Sequence, residues 1–256
     1  MSRRETLPPR GERVGERRAR AATILELLDE AYPGATCALT YESPWQLLVA
    51  TILSAQCTDA RVNQVTPALF RRFPDATATA GADIAELEAL VQPTGFFRQK
   101  AKNVLATARR VVDVYDGSVP DDMTELLTLP GVARKTANVV LSNCFPDKAA
   151  GIAVDTHVQR ITRRLGLTRS FPPEQVERDL TRIIPREHWN DVTHVLIVHG
   201  RAVCRATNPL CEACPISAVC PSYGRFTSPA SSGKQGHQRR QLPGASRSAT
   251  PRTRGL

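Results

Sequence analysis

The spacing of the apolar residues is the feature that most limits the possible fold, because they recur every three or four positions along nearly the whole chain. No segment shows the two-residue alternation of a half-buried strand. Glycines and prolines separate the periodic runs at short intervals, which is typical of tight connections between packed helices. The pattern predicts an all-α protein. Helices are expected at 17–31, within 43–56, and at 58–72, 82–91, 97–116, 121–127, 132–144, 156–165, 173–184 and 187–203.

A length of 256 residues allows one large domain or two small ones, each with its own core. No apolar run approaches the roughly 20 residues that a membrane span needs. The arginines near the start are not followed by the apolar segment of a secretory signal. These features predict a soluble, cytosolic protein with no membrane partner.

The net charge of +9 is concentrated at the two ends of the chain. Residues 1–20 hold seven arginines and three glutamates, and residues 225–256 hold seven Lys or Arg and no acid, which leaves about −2 for residues 21–224. Both ends are rich in Pro, Gly, Ser and Arg, a composition that buries too little apolar surface to fold. We therefore predict disordered basic tails at 1–16 and 225–256.

The string "TLPGVARKTANVVL", at 128–141, contains a lysine in a chain that prefers arginine, since only five of its 34 basic side chains are lysines. These are Lys100, Lys102, Lys135, Lys148 and Lys234. Arginine keeps its proton in proteins, whereas a lysine amine can lose its proton and attack carbon. Pro130 and Gly131 end one helix just before the next begins, so unpaired N–H groups at that helix start could receive a phosphate. The simpler interpretation is an exposed lysine beside a turn.

The string "AVDTHVQRITRRLGL" places Asp155 immediately before a periodic helix, where an aspartate ordinarily serves as an N-cap. A capped carboxylate is also a positioned one, so a catalytic role is compatible with capping. Four arginines follow, and they either track a phosphate backbone or form a solvated helix face. They are Arg160, Arg163, Arg164 and Arg169.

Seven cysteines, an odd number without a signal peptide, argue against a disulfide framework. The last four have the spacing C-x6-C-x2-C-x5-C. They are Cys204, Cys211, Cys214 and Cys220. Four thiolates suit either a tetrahedral zinc ion or an iron–sulfur cluster, and coordination chemistry alone does not choose between them. Zinc sites more often contain two separated C-x2-C pairs, whereas this chain has one.

Together these strings resemble the endonuclease III family of DNA glycosylases. L-P-G-V-x-R-K-T-A is similar to the family's helix-hairpin-helix, in which the lysine is the nucleophile, so the resemblance implies that Lys135 is catalytic. It also implies that Gly131, Ala133 and Arg134 bind DNA, although Ala133 stands where a second glycine is usual. The V-D-T-H string matches the catalytic aspartate, Asp155, and the cysteine spacing matches a [4Fe-4S] loop.

Two further strings carry the resemblance. "LSAQCTD" contains Gln56, which the resemblance makes the residue that fills the gap left by an extruded nucleotide. "PTGFFRQKA" contains Phe96, at the position of an apolar wedge that is usually leucine. Without the resemblance, a glutamine at a helix end and a phenylalanine in the core would be preferred.

The resemblance implies a two-lobed helix-hairpin-helix fold. One lobe, 36–149, is a helical bundle with the hairpin, and the other joins 17–35 to 150–224 around the cluster. The implied activity is that of a bifunctional DNA glycosylase and AP lyase in base excision repair, which removes oxidised pyrimidines and cleaves 3′ to abasic sites through a Schiff base and β-elimination. The implied partner is damaged double-stranded DNA, bound by a monomer in the bacterial cytoplasm.

Two alternatives remain open. The adenine glycosylase branch of the same superfamily shares the cluster and the aspartate, but it lacks the catalytic lysine and has an extra C-terminal domain. A non-catalytic DNA-binding module with a redox or structural cluster is an alternative from another class. Failure to cut an abasic duplex would favour the second alternative.

Overall fold

The structure, a computed structural model, describes residues 11–226, in which the regular secondary structure is helical and there is no strand. The prediction of an all-α fold is confirmed. The helices are α1 Val14–Ala31, α2 Pro44–Leu53, α3 Asp59–Arg72, α4 Ala76–Ala80, α5 Ile84–Val91, α6 Phe97–Tyr115, α7 Met123–Leu126, α8 Arg134–Cys144, α9 Thr156–Arg164, α10 Pro173–Thr181 and α11 Trp189–Ala202. Short 3₁₀ turns occupy Gln92–Thr94, Pro146–Lys148, Arg186–His188, Cys211–Ala213 and Ser217–Val219.

The start of α1 differs from the prediction, because residues 12–16 are ordered. The backbone N–H of Arg13 donates to the Glu16 carboxylate at 2.9 Å, and Glu12 accepts from Arg17 and Arg20. The helix therefore begins at Val14 and not at residue 17, and the predicted disordered tail at 1–16 is too long. Residues 1–10 and 227–256, where the rest of the predicted tails fall, lie outside the described residues.

Helix α4 has no counterpart in the predicted helices. It is only five residues long, and its Ala and Thr side chains form no apolar stripe that periodicity could reveal. Its start does carry a local signal, since Asp75 caps the helix by accepting from the N–H of Ala78 at 2.7 Å.

The buried hydrophobic side chains form two separate clusters. The first draws on residues between Leu39 and Leu141, together with Ala153. The second combines the inner face of α1 with residues between Ile152 and Ile216. Polar contacts join the two, including a hydrogen bond of 3.1 Å between His194 of α11 and Asn143 of α8. The helix α8 therefore packs in the first cluster and touches elements of the second.

The turn before α8 is fixed by the neighbouring helix α6. The Thr107 hydroxyl donates to the carbonyl of Pro130 at 2.7 Å. Gly131 has φ +77°, and a Cβ there would lie 2.7 Å from the Asn103 amide nitrogen. A side chain at position 131 is therefore disfavoured by both backbone conformation and space.

No helix within residues 11–226 has the length and apolar character needed to cross a membrane.

Candidate functional site

The first turn of α8 presents backbone N–H groups that no side chain caps. Ala133 occupies the N-cap position and has no side-chain oxygen to offer, so the N–H groups of the first turn have no capping partner. The backbone of Ala133 has φ −97° and ψ 170°, an ordinary extended conformation. Ala133 therefore occupies its position without backbone strain, although the resemblance implies a second glycine there.

Arg134, predicted to bind DNA, has a protein partner in this structure. Its guanidinium makes two hydrogen bonds, of 2.7 and 2.9 Å, to the carboxylate of Glu177 in α10. Glu177 is buried and accepts a third bond, of 3.0 Å, from the Asn138 amide. This pairing raises the pKa of Arg134 and ties the start of α8 to the second cluster.

Lys135 is exposed and lines a pocket of about 570 Å³. It makes no hydrogen bond or ion pair to any other residue in the range 11–226. Burial raises the pKa of the Cys37 thiol in the same pocket, and the nearby Lys135 ammonium acts in the opposite direction. The lysine amine therefore stands at a concave surface without a partner that would hold it.

Asp155 caps α9, since its carboxylate accepts from the N–H of Val158 at 2.8 Å. It is half-buried. The Lys135 pocket also contains Asp59 and Arg201, which form an ion pair of 2.6 Å. Burial lowers the pKa of His157, while the carboxylates of Asp155 and Asp59 both raise it. His157 is therefore near both Asp155 and Asp59, and Asp59 lines the Lys135 pocket.

Gln56 and Phe96 are both exposed and both left-handed, with φ +53° and +46° respectively. The Phe96 side chain is 69 % exposed, so the interpretation of a core phenylalanine is wrong. Gln56 lies in the turn beyond α2, which ends at Leu53. Left-handed residues other than glycine are uncommon and concentrate at functional sites. This conformation gives both residues a signal that the sequence alone does not carry.

The four clustered cysteines line a single cavity of about 420 Å³, and none is in a disulfide. The pKa of Cys214 is raised to about 11, mainly by burial and to a smaller extent by the other three cysteines. Within residues 11–226, no three His, Cys, Asp or Glu side chains converge as ligands of a single ion. The donor set is four soft sulfurs around one cavity, which suits either a zinc ion or an iron–sulfur cluster.

The arginines of α9 support the cysteine loop. Arg164 donates to the Cys204 sulfur at 3.4 Å and to the carbonyls of Arg205 and Ala206. Arg160 donates to the carbonyls of Cys204 and Gly200. These two side chains therefore form neither a solvated helix face nor a free phosphate-tracking cluster, the two interpretations that the sequence offers.

Several residues at these sites have no signal in the sequence. The histidines are too scattered along the chain to be predicted as ligands, yet His199 is buried beside the cysteine cavity, where it contacts Cys214 at 3.8 Å and Tyr32 at 3.0 Å. Glu177 and Arg201 carry no signal in the sequence, because their partners are distant along the chain and no short motif contains them. Asp59 stands in the string "LSAQCTD", but its ion pair with Arg201 exists only after folding.

The chain is similar to known DNA repair proteins. Residues 49–186, more than half of the chain, match the family model of the HhH-GPD superfamily base excision DNA repair protein. Endonuclease III from Synechocystis is 56 % identical over 210 residues, which cover 82 % of this chain and 95 % of the relative. Endonuclease III from Bacillus subtilis is 42 % identical over 197 residues, 77 % of this chain and 89 % of the relative.

Two solved structures agree with this comparison. One is a non-covalent Endonuclease III–DNA complex, with TM-score 0.76, 40 % identity and coverage of 81 % of this chain and 97 % of the other. The second, a trapped Endonuclease III–DNA covalent intermediate, gives the same TM-score, identity and coverage.

Proposed function

Because the chain belongs to the endonuclease III family, it is a base excision repair DNA glycosylase and AP lyase, and we propose that Lys135 and Asp155 carry its chemistry. One observation supports this assignment above the others. Lys135 stands exposed at a pocket with no hydrogen bond or ion pair within residues 11–226, while its helix start is fixed by Arg134 and Glu177. The Lys135 amine therefore has no bonding partner within residues 11–226, although the Arg134–Glu177 ion pair fixes the backbone beside it.

In the proposed reaction, the neutral amine of Lys135 attacks C1′ of an extruded nucleotide. The bond from C1′ to the base breaks, and its electron pair leaves with the base. Asp155 stabilises the positive charge that develops on the sugar and accepts the proton that the amine releases. The C1′–O4′ bond then breaks as O4′ takes the proton held by Asp155, which leaves a Schiff base between C1′ and Lys135. The Asp155 carboxylate, free again, accepts a C2′ proton, and the electron pair of that C–H bond expels the 3′ phosphate. We propose oxidised pyrimidines and abasic sites as substrates.

We propose that DNA is held by the hairpin and opened by two side chains. The uncapped N–H groups between Gly131 and α8 would bind a phosphate without reading a base. Gln56 would fill the gap left by the extruded nucleotide, and Phe96 would wedge the neighbouring stack. The exposure and left-handed backbone of both residues support these roles. Arg134 acts in this proposal by anchoring the hairpin, through Glu177.

The four cysteines, Cys204, Cys211, Cys214 and Cys220, would hold a [4Fe-4S] cluster, which supplies structural bracing and no reaction step. Their shared cavity and the lack of disulfides support this assignment. Iron and inorganic sulfide in equal amounts, in a brown protein purified without oxygen, are the expected result. Zinc in place of iron would contradict it.

We further propose two lobes, at 36–149 and at 17–35 with 150–224, a division supported by the two clusters of buried side chains. Damaged double-stranded DNA would lie across the cleft between them, where Lys135 and Asp155 come from opposite sides. A monomer is sufficient, since both residues belong to one chain. The bacterial relatives and a chromosomal substrate support action in the bacterial cytoplasm.

Borohydride trapping tests the proposed nucleophile, because reduction converts the Schiff base into a stable amine bond to DNA. We expect the wild-type chain to be trapped on lesion-containing duplex and Lys135→Gln to bind the duplex without being trapped. Lys135→Arg is the sharper variant, since it keeps the charge but cannot supply a neutral amine. Lys148→Arg, an exposed lysine outside the pocket, is the matched control and should be trapped normally.

Trapping of Lys135→Arg would mean that another amine is the nucleophile. If the wild-type chain bound damaged DNA but neither formed the trapped complex nor cut an abasic duplex, the non-catalytic DNA-binding module would be favoured instead.

A further inference from the structure

The loop that presents Phe96 has an unusual backbone. Gly95 and Phe96 are consecutive residues with positive φ, +70° and +46°, directly before α6 begins at Phe97; Phe96 is in the left-handed α region, whereas Gly95, with ψ 158°, lies outside it. Glycine adopts a positive φ readily, whereas a phenylalanine with a positive φ is strained. The exposed ring offers no packing that would hold the strained conformation. A contact on the buried side of the loop must therefore stabilise the backbone conformation of Phe96.

Lys100, one turn into α6, lies beneath this loop and is only 4 % exposed. Its ammonium donates to the carbonyl of Thr94 at 2.7 Å. Thr94 is itself buried, and its hydroxyl donates to the carbonyl of Val91 at 2.8 Å. The Lys100 bond thus fixes the peptide unit that immediately precedes the two residues with positive φ.

The same lysine also lies close to the loop of Gln56. Burial lowers the pKa of Lys100, and the neighbouring Cys57 thiol acts in the opposite direction. Cys57 directly follows Gln56, whose backbone is left-handed as well. Lys100 is therefore bonded to the loop of Phe96 and is near the residue that follows Gln56.

We propose that Lys100 is a positioning residue for nucleotide extrusion: its buried ammonium holds the Thr94 carbonyl, and so keeps Gly95 and Phe96 in the conformation that projects the ring into the DNA stack. This role rests on the proposed function, because it takes Phe96 as the wedge. It is separate from the chemical step, since Lys100 contacts neither Lys135 nor Asp155.

The choice of lysine at this position fits the geometry. The chain uses arginine for 29 of its 34 basic side chains, so a lysine at position 100 departs from its composition. A guanidinium is a broad planar fork that needs several acceptors, whereas an ammonium is a compact point charge. A buried site built around one carbonyl suits the ammonium.

The test uses the full chain with Lys100→Met, which keeps the shape of the side chain but removes its charge and donor. Lys102→Met, at an exposed position on the same helix, is the matched control. Single-turnover excision is measured on an oxidised pyrimidine in a fully paired duplex, and strand cleavage is measured on an abasic site, which has less stacking to break. We expect Lys100→Met to slow excision by about tenfold and to change cleavage by less than about twofold, a selective loss from misplacement of the wedge. Lys102→Met should alter neither rate.

Phe96→Ala separates this proposal from the wedge assignment on which it rests. We expect Phe96→Ala to give the same selective loss, and Phe96→Ala with Lys100→Met to add nothing to it, because both changes act on one wedge. Selective loss for Phe96→Ala but not for Lys100→Met would overturn the role of Lys100 alone. Absence of selective loss for Phe96→Ala would overturn the wedge itself.

A merely structural role for Lys100 would be revealed by equal losses on both substrates. If Lys100→Met fails to fold, Lys100→Gln replaces it, since its amide can still donate a hydrogen bond but carries no charge. Lys100→Gln should then show a smaller loss that remains selective for the paired lesion. Equal losses with Lys100→Gln would also contradict the proposal.

Discussion

Asp155 combines a structural and a chemical role in one carboxylate. Because Asn retains a side-chain oxygen that can accept from the N–H of Val158, Asp155→Asn should keep the melting temperature close to that of the wild type. Loss of the negative charge should lower the excision rate by about 10² to 10⁴. Asp83→Asn, at the cap of α5, is the control and should leave the rate unchanged. A wild-type rate for Asp155→Asn would show that Asp155 only caps the helix.

The two small residues of the hairpin should differ in how much a substitution costs. Gly131→Ala places a Cβ against Asn103 on a left-handed backbone, so we expect a loss of about 1–3 kcal/mol in the free energy of unfolding. Ala133→Gly changes an ordinary extended residue at an N-cap, where glycine is well accepted, and should change stability by less than about 1 kcal/mol. Urea unfolding of both variants checks the prediction, and equal losses would contradict it.

The site residues that the sequence could indicate are those that stand in a short motif. Lys135, Asp155 and the four cysteines each stand in a motif with its own spacing, so a role could be proposed for each from the sequence. Glu177 carries no such signal, since its partner Arg134 is 43 positions away and the pairing exists only after folding. The exposure of Phe96 likewise depends on a backbone conformation that no residue pattern specifies.

At the scale of the elements, the bond between α8 and α10 is an ion pair with one fully buried partner. Glu177→Gln leaves the Arg134 guanidinium without its charge partner, and we expect a loss of about 1–3 kcal/mol in unfolding free energy. Glu174→Gln, an exposed neighbour on the same helix, should cost less than about 0.5 kcal/mol. Borohydride trapping should slow in Glu177→Gln alone. Matching losses in the two variants would argue against the anchor.

The helices could be predicted almost completely because each long one buries a stripe at helical spacing. The exceptions follow from physical causes. Helix α4 is too short to show a stripe, and α1 starts early because Arg13 and Glu16 cap it through a contact that apolar periodicity does not register. The buried polar side of α8, with Asn138 bonded to Glu177, likewise depends on the packing of a distant helix.

At the scale of the whole molecule, the contact between the two clusters should be sensitive to acid. Burial lowers the pKa of His194 below the ordinary value of 6.5, and its ring is bonded to Asn143. His194 therefore binds a proton more readily in the unfolded chain than in the folded chain. Its contribution to the free energy of unfolding is complete above pH 6.5 and is lost as the pH drops below that value. Urea midpoints across this range should show the decline. His194→Gln should reduce the slope by up to about 1.4 kcal/mol per pH unit, and an unchanged slope would contradict the assignment.

The basic ends of the chain should strengthen DNA binding without specifying sequence. Since α1 and its capping contacts begin near residue 12, a deletion that leaves the fold intact removes 1–10 and 227–256. For every phosphate that the shortened chain no longer neutralises, the salt slope of non-specific binding should fall by about 0.9. Titrations of undamaged duplex at several salt concentrations measure this slope. A slope equal to that of the full chain would show that the ends do not touch DNA.

The second cluster of buried side chains affects how the protein is made. Its inner face on α1 is synthesised first, yet its partners between Ile152 and Ile216 leave the ribosome last. The first cluster, between Leu39 and Ala153, is nearly contiguous in the chain and can form while synthesis continues. Until then Ile24, Leu25 and Leu28, which are buried in the folded protein, lack their packing partners. The growing chain therefore carries the apolar residues of α1 without the side chains that bury them throughout most of translation.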